Sequence, residues 1–272
     1  MAISCSDFEF IRKLLRQRSA LLLEPGKEYL VESRLEPLVH QEGLRSLQHL
    51  VEALQADPTC VLHQKVVEAM TISETSFFRD AGAFDVLKAV ALPGLLMRRT
   101  TERSLRIWCA ACSSGQEPYS IALLIREDFP LLATWNLQFI ASDISGALLA
   151  RAREGRYTQL EINRGMPTTL LEKYFAKRGG EWQVRPDVRR MVEFWEHNLA
   201  EAWPALPPMD LIFMRNVLIY FDVTVKKDIL ARIRRVLRPD GYLFLGGAET
   251  TINLDGLFEP LPADRAVCFR LR

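Results

Sequence analysis

The segment that decides the fold reads Arg106-Ile-Trp-Cys-Ala-Ala-Cys-Ser-Ser-Gly-Gln-Glu-Pro-Tyr-Ser120. Its first residues are apolar and favour a β-strand, its middle is a run of small residues with one glycine, and its end has a helical pattern. Similar apolar runs alternate with helical patterns from Phe84 onward. Such alternation predicts a parallel sheet with helices on both faces, which is a doubly wound α/β fold.

The elements of this α/β region follow from the spacing of its apolar residues. The predicted strands are Leu105–Cys109, Leu137–Ser142, Asp210–Met214 and Tyr242–Gly246, and the predicted helices between them are Tyr119–Asp128, Gly146–Glu154 and Val225–Leu237. The stretch from Tyr157 to Phe194 interrupts this alternation, and Arg178-Gly-Gly-Glu-Trp182 has the composition of a hairpin turn. We therefore expect a small β-subdomain inserted over residues 158–195.

The N-terminal region differs, because it is a succession of helical patterns. Ser6 and Glu9 have the spacing of a capping box, which predicts the start of a helix. Further helices are predicted over Tyr29–His40, Ser46–Leu54 and Val61–Met70, and Pro37 is expected to kink or shorten the first of these three. We expect an N-terminal helical domain over residues 1–82 and the α/β domain over residues 83–272.

The composition excludes several classes of protein. With 49% hydrophobic and 25% charged residues and a net charge of +1, the chain is predicted to be globular, with no general attraction to nucleic acid. No apolar run approaches the roughly 20 residues that cross a bilayer, and the N-terminus lacks the pattern of a secretory signal, so we expect a cytoplasmic protein without membrane insertion. The basic stretch from Arg12 to Arg18 is interpreted as a solvated helix face, with an acidic-partner site as the alternative.

The five cysteines do not form the even framework of a disulfide-rich secreted domain. Cys109 and Cys112 have C-x-x-C spacing, but no second pair and no nearby histidine completes a zinc site. We expect free thiols and no metal.

The loops that follow the strands are the candidate binding sites, since ligands of open α/β sheets bind beyond the carboxyl ends of the strands. Gly115 lets the backbone approach a ligand, and Glu117 can accept a hydrogen bond from a cationic amine, although a strand-to-helix turn needs a glycine whatever it binds. Asp143, after the second strand, is placed to bind ribose hydroxyls. The absence of a G-x-G-x-x-G pattern disfavours NAD and favours an adenosine-bearing ligand without a pyrophosphate. Arg215 and Asn216 need polar partners if they are buried.

Three motifs, in order along the chain, resemble those of the chemotaxis receptor methyltransferases, the CheR family. They are Thr75-Ser-Phe-Phe-Arg79, the segment from Arg106 to Ser120, and Arg215-Asn-Val-Leu-Ile-Tyr-Phe-Asp222. The resemblance implies an S-adenosylmethionine-dependent methyltransferase fold with an N-terminal helical domain and a β-subdomain. It also implies O-methylation of glutamates on the cytoplasmic helical region of methyl-accepting chemoreceptors, with S-adenosylhomocysteine as product, for adaptation in chemotaxis.

The resemblance also implies a set of site residues. Arg79 and Tyr220 are implied as catalytic residues, near the sulfonium and the incoming carboxylate. Glu117 is implied to contact the methionyl or amino end or the ribose, and Asp143 the adenosine side. The implied cofactor contacts are Ser73, Thr75, Arg79, Ala110, Glu117, Asp143, Asn198, Leu199, Asn216 and Val217.

Departures from the family pattern shape the expected partners. Ser73 stands where the family often has asparagine, and acidic residues offset the basic ones on the second predicted helix, where members of the family dock on receptors. The short Arg178–Trp182 turn predicts recognition that does not depend on a receptor tail peptide.

We expect a monomer. Two alternatives stay open: a catalytically silent cofactor-binding protein of a receptor array, and a small-molecule carboxyl methyltransferase.

Overall fold

The computed structural model describes residues 3–261 and 267–272. These residues form two compact units. The helical unit contains the chain up to Ile72 together with Leu199–Ala202 and Tyr220–Val225, and the sheet unit contains Ser73–Asn198, Trp203–Ile219 and the described part of Lys226–Arg272. The chain first passes from one unit to the other after Ile72. The domain ranges 1–82, 83–272 and 158–195 stay predictions.

The helical unit is built on amphipathic helices. They are α1 (Cys5–Ser19), α2 (Glu28–Gln41), α3 (Leu47–Ala56) and α4 (Leu62–Met70). Ile11, Leu35, Leu50 and Val66, one from each helix, are all fully buried. Burial of such apolar faces is the main source of stability for helices of this length.

Two details of the helical unit differ from expectation. The N-cap of α1 is Ser4, whose hydroxyl accepts a hydrogen bond from the Asp7 amide at 3.1 Å, so the predicted capping box of Ser6 and Glu9 is wrong. Ser4 has the extended backbone that an N-cap requires, whereas Ser6 already lies within the helix. Helix α2 continues through Pro37 to Gln41, so the proline does not shorten it.

The basic stretch of α1 is engaged within the helical unit. Arg12 binds the Glu9 carboxylate at 2.5 Å and the Leu23 carbonyl at 2.8 Å. Arg18 donates a hydrogen bond to the Pro58 carbonyl at 2.6 Å. These contacts favour the helix-face interpretation over an acidic-partner site.

The sheet unit contains two sheets. The strands are β1 (Ser104–Ala110), β2 (Asn136–Asp143), β3 (Arg156–Tyr157), β4 (Phe175–Arg178), β5 (Glu181–Val184), β6 (Glu193–Glu196), β7 (Met209–Met214), β8 (Leu237–Leu245), β9 (Phe258–Pro260) and β10 (Cys268–Leu271). The large sheet has the order β6-β2-β1-β7-β8-β10-β9, parallel from β6 to β8 and antiparallel beyond. The fold class is therefore confirmed as a mostly parallel α/β sheet with a helical N-terminal part.

The strand order predicts where a binding crevice lies. From β1 the chain moves first to β2 on one side and later to β7 on the other. The loops after β1 and β7 therefore diverge, which is where open α/β sheets bind ligands.

The remaining α-helices precede β1 or connect the later strands. They are α5 (Ala81–Val86), which continues through a π-helical turn (Leu87–Ala91) into α6 (Leu92–Arg98), then α7 (Gln116–Asp128), α8 (Gly146–Glu154), α9 (Gln159–Asn163), α10 (Thr168–Tyr174), α11 (Pro186–Arg189) and α12 (Val223–Val236). The small sheet has the order β3-β5-β4, and β4 and β5 form the predicted hairpin. Gly179, at its turn, has a φ of +62°, which glycine adopts without strain.

An ionic network joins β1, β7 and β8 at the end of the large sheet opposite the carboxyl ends of its parallel strands. Arg99 donates to buried Asp210 at 2.9 Å and forms a bidentate pair with Asp240 at 2.6 and 2.8 Å. The Arg106 amide donates to the second Asp210 oxygen at 2.8 Å. Hydrogen bonding from Arg99 holds the pKa of Asp240 below its usual value. This network fixes the strands that carry the crevice.

Candidate functional site

The turn after β1 is held in an unusual backbone conformation. Ala111, Ser113 and Gly115 have φ angles of 55°, 51° and 93°. The Cys112 amide donates to the Ser142 carbonyl of β2 at 2.9 Å. A Cβ atom on Gly115 would lie 2.9 Å from the Ala152 Cβ, so this position requires glycine. The turn thus lies tightly against the neighbouring strand and α8.

Asp143, the last residue of β2, accepts hydrogen bonds from the loops that follow β1 and β2. One carboxylate oxygen accepts the Ser113 amide at 2.8 Å and the other accepts the Ser145 amide at 3.0 Å. Asp143 therefore fixes the position of these two loops relative to each other.

Glu117, in the first turn of α7, is paired inside the sheet unit. Its side chain is 13% exposed, and Oε2 accepts a hydrogen bond from Nη1 of Arg215 at 2.5 Å. Oε1 accepts one from the Cys109 thiol at 3.1 Å. Arg215 thereby has the polar partner that its burial requires, although 98 residues separate it from Glu117.

The segment from Ser73 to Asp80 borders the same turn. The Ser113 hydroxyl donates to the Ser73 carbonyl at 2.8 Å, and the Phe78 amide donates to the Ser120 hydroxyl at 2.9 Å. Arg79 is half-buried, and its Nη1 donates to the Glu74 carbonyl at 2.8 Å. Thr75 is also half-buried, whereas Ser73 is exposed.

A carboxylate that the sequence analysis did not assign to the site organises the loop after β7. Buried Glu249 accepts hydrogen bonds from the amides of Asn216 (2.8 Å), Val217 (2.9 Å), Ile219 (3.3 Å) and Gly246 (2.7 Å). These bonds hold Asn216 at a φ of 59°, in the left-handed region. The signal in the sequence was an acidic residue that follows the apolar β8 after Gly246-Gly247-Ala248, but its partners in the loop after β7 are 30–33 residues away.

The remaining predicted residues are placed as follows. Ala110 ends β1 and is fully buried, and Asn198, two residues after β6, is half-buried. Val217 is half-buried in the loop after β7. Leu199 and Tyr220 belong to the helical unit, where the Tyr220 carbonyl accepts the Leu22 amide at 2.9 Å. Their part in the site stays a prediction.

Cys109 in β1 and Cys112 in the turn after it are both buried, which lowers the reactivity of their thiols. Burial raises the pKa of the Cys109 and Cys112 thiols well above the usual value, and nearby carboxylates raise it further.

Within residues 3–261 and 267–272, no group of three or more histidine, cysteine or acidic side chains could hold a metal ion.

A labelling experiment checks the lowered reactivity of the two buried thiols. At about pH 8, iodoacetamide is expected to label exposed Cys5 at least about tenfold faster than Cys109 or Cys112 in the folded protein, because only a thiolate reacts. Peptide mass spectrometry over time measures the rates, and urea-unfolded protein is the control in which the difference should vanish. Equal rates in the folded protein would contradict the described burial.

The donor set determines which ligand chemistry fits. Glu117 follows β1 and Asp143 ends β2, while Asn198 and Asn216 follow β6 and β7, so two carboxylates and two side-chain amides stand at the carboxyl ends of these parallel strands. Such groups suit a ligand with a positive charge and hydroxyl groups, whereas a phosphate would meet unfavourable negative charge. The residues present therefore fit S-adenosylmethionine, which combines an ammonium and a sulfonium with a ribose.

Comparisons with known proteins identify the family. The family model described as "CheR methyltransferase, SAM binding domain" matches residues 73–267, and the one described as "CheR methyltransferase, all-alpha domain" matches residues 6–71. Chemotaxis protein methyltransferase Cher2 of Pseudomonas putida is 42% identical over 98% of both chains. Chemotaxis protein methyltransferase 1 of Pseudomonas aeruginosa is 41% identical over all of both chains, and the Salmonella typhimurium chemotaxis protein methyltransferase is 35% identical over 93% of this chain and 87% of its own. The chain belongs to the CheR methyltransferase family.

Proposed function

We propose that this protein transfers a methyl group from S-adenosylmethionine to glutamate side chains on the cytoplasmic helical region of chemoreceptors, for adaptation in chemotaxis. The observation that carries the proposal is the position of two acidic side chains at the carboxyl edge of a parallel sheet, in a chain of the CheR family. Glu117 lies in the first turn of α7 and Asp143 at the end of β2. S-adenosylmethionine, when bound, supplies the electrophilic methyl carbon and leaves as S-adenosylhomocysteine.

Different residues are proposed to bind different parts of the cofactor. Glu117 binds the positively charged amino end or the ribose, and Asp143 binds hydroxyls on the adenosine side. Asn216, fixed by Glu249, presents its side-chain amide from the loop after β7. The further contacts in this proposal are Ser73, Thr75, Arg79, Ala110, Asn198, Leu199 and Val217.

The substrate carboxylate needs no general base. A glutamate side chain with a pKa near 4.3 is almost wholly ionised at neutral pH and is already the nucleophile. The protein therefore acts by aligning the carboxylate oxygen with the methyl carbon, and positioning of this kind can contribute about 7–11 kcal/mol.

Arg79 and Tyr220 are the groups proposed to orient the incoming carboxylate. Arginine binds a carboxylate through its planar fork, and tyrosine can donate one hydrogen bond. Because charge is neutralised as the sulfonium and carboxylate react, an ion pair that binds the ground state too strongly would slow the transfer. Arg79 is thus assigned mainly to orientation.

We further propose that the protein acts as a monomer in the cytoplasm, on receptors to which it binds transiently. In the described parts of the chain, no helix is both long and apolar enough to span a bilayer. The net charge of +1 provides no general attraction to anionic lipid, so recognition must come from the receptor itself.

Labelled-methyl transfer tests this function. With S-adenosylmethionine labelled in its methyl group, the protein is expected to label receptor-rich membranes, and alkali is expected to release the label as methanol because carboxyl methyl esters are base-labile. Membranes without receptors are the control. Cofactor binding without any base-labile label would instead support a catalytically silent protein of a receptor array.

A further inference from the structure

We propose that Arg215 is a positioning residue that couples the cofactor-binding carboxylate of Glu117 to the segment that carries Arg79. The inference rests on the proposed function, because it assigns Glu117 to the cofactor and Arg79 to the substrate. It adds a physical link between the residue proposed to bind the cofactor and the residue proposed to orient the substrate.

The guanidinium of Arg215 bridges two parts of the chain. Its side chain is only 1% exposed. Nη1 donates to Glu117 Oε2 at 2.5 Å, while Nη2 donates to the Arg79 carbonyl at 2.8 Å and to Asp80 Oδ2 at 2.9 Å. Because the guanidinium is rigid and planar, a displacement of one partner is transmitted to the others.

The segment that Arg215 holds is strained. Phe78 and Asp80, on either side of Arg79, have φ angles of 50° and 55°, which are unfavourable for residues other than glycine. Such a conformation persists only where the surroundings impose it. The hydrogen bonds that hold this stretch include the Phe78 amide bond to Ser120, the Ala83 amide bond to the Asp80 carbonyl and the two bonds from Arg215. Two of these bonds come from Arg215, which therefore helps to fix the direction in which the Arg79 side chain leaves the backbone.

The charges explain why an arginine suits this position. Glu117 and Asp80 together carry two negative charges, and Arg215 offsets one of them. Glu117 can consequently attract a cationic ligand while it stays hydrogen-bonded to Arg215. A lysine would keep the charge but could not maintain the fork that reaches Glu117 and the Arg79 carbonyl together.

The test compares Arg215→Gln and Arg215→Lys with the wild type. Arg215→Gln is expected to weaken S-adenosylhomocysteine binding at least about tenfold and to lower turnover at least about 100-fold, because both sites lose their anchor. Arg215→Lys is expected to restore affinity to within about threefold of the wild type while turnover stays at least about tenfold lower. Calorimetry measures the affinity, and saturating labelled cofactor measures the turnover.

Arg238→Gln is the matched control, because it removes an arginine that is paired with Glu102 at the opposite end of the large sheet. It is expected to change the thermal midpoint without separating affinity from turnover. The coupling is overturned if Arg215→Lys and Arg215→Gln have the same affinity and turnover, or if both parameters only follow the thermal midpoint as in the control.

A second pair of variants keeps the proposal testable if Arg215 variants do not fold. Asp80 is 47% exposed, so Asp80→Asn is expected to fold and to lower turnover about threefold or more at unchanged cofactor affinity. Combined with Glu117→Gln, the loss of turnover should be at least about threefold smaller than the product of the single losses, since both act through Arg215. Strictly multiplicative losses would overturn the coupling. A wild type without methyltransferase activity would overturn the proposed function. If the wild type is active and the Arg215 and Asp80 variants have its affinity and turnover, only this inference is overturned.

Discussion

Arg79→Ala is expected to lower the turnover number for methyl transfer by at least about 100-fold, while the affinity for S-adenosylhomocysteine changes by less than about tenfold. In the proposed mechanism this side chain orients the substrate carboxylate, and small misalignments of reacting atoms cost large factors in rate. Among the described residues, the Arg79 side chain donates one hydrogen bond, from Nη1 to the Glu74 carbonyl. The rest of the guanidinium can therefore bind a carboxylate.

Arg164→Ala is the matched control for this experiment. Arg164 pairs with the Glu74 carboxylate at 2.7 Å and is half exposed, so its loss removes a neighbouring positive charge without removing the proposed clamp. Its turnover is expected to stay within about threefold of the wild type. An Arg79→Ala variant that loses affinity and turnover equally would contradict the orienting role.

Glu249→Gln is expected to lower the free energy of unfolding by about 2–4 kcal/mol and to weaken S-adenosylhomocysteine binding at least about tenfold. The buried carboxylate accepts hydrogen bonds from four backbone amides, and a glutamine would turn an NH2 group toward some of them. The loop that carries Asn216 would then lose its fixed conformation. Urea unfolding and calorimetry measure the two effects.

Glu259→Gln provides the comparison for Glu249. Glu259 pairs with Arg270 at 2.6 Å on the surface, where an ion pair contributes at most about 1 kcal/mol. The control should therefore leave cofactor affinity unchanged and stability nearly so. Equal effects of the two variants would show that Glu249 does not organise the loop.

The sequence predicted the central elements because their apolar spacing is determined by burial. Helix α8 has the predicted bounds, and β1 and β2 extend the predicted strands by a residue at each end. No apolar run predicted β6, β9 or β10. These strands are short and lie at or near the edges of the large sheet, where fewer neighbours impose an apolar pattern. The N-cap of α1 was misplaced because Ser4 and Ser6 are both suitable capping residues, and only the backbone conformation distinguishes them.

The candidate site was predictable as a set of loops but not as a set of contacts. Glu117 and Asp143 could be named because the carboxyl ends of parallel strands lie together. The bonds of Arg215 to Glu117 and of Glu249 to the loop after β7 join distant parts of the chain, so no local pattern reveals them. The need of buried Arg215 for a partner was visible in the sequence, whereas the identity of that partner was not.

Titration calorimetry with S-adenosylhomocysteine tests the central claim, that the crevice at the carboxyl edge of the sheet holds the cofactor. The wild type is expected to bind one molecule per chain, and Glu117→Gln and Asp143→Asn are each expected to weaken that binding at least about tenfold, with the fold verified by circular dichroism. No binding by the folded wild type, or the same affinity in all three proteins, would contradict the account.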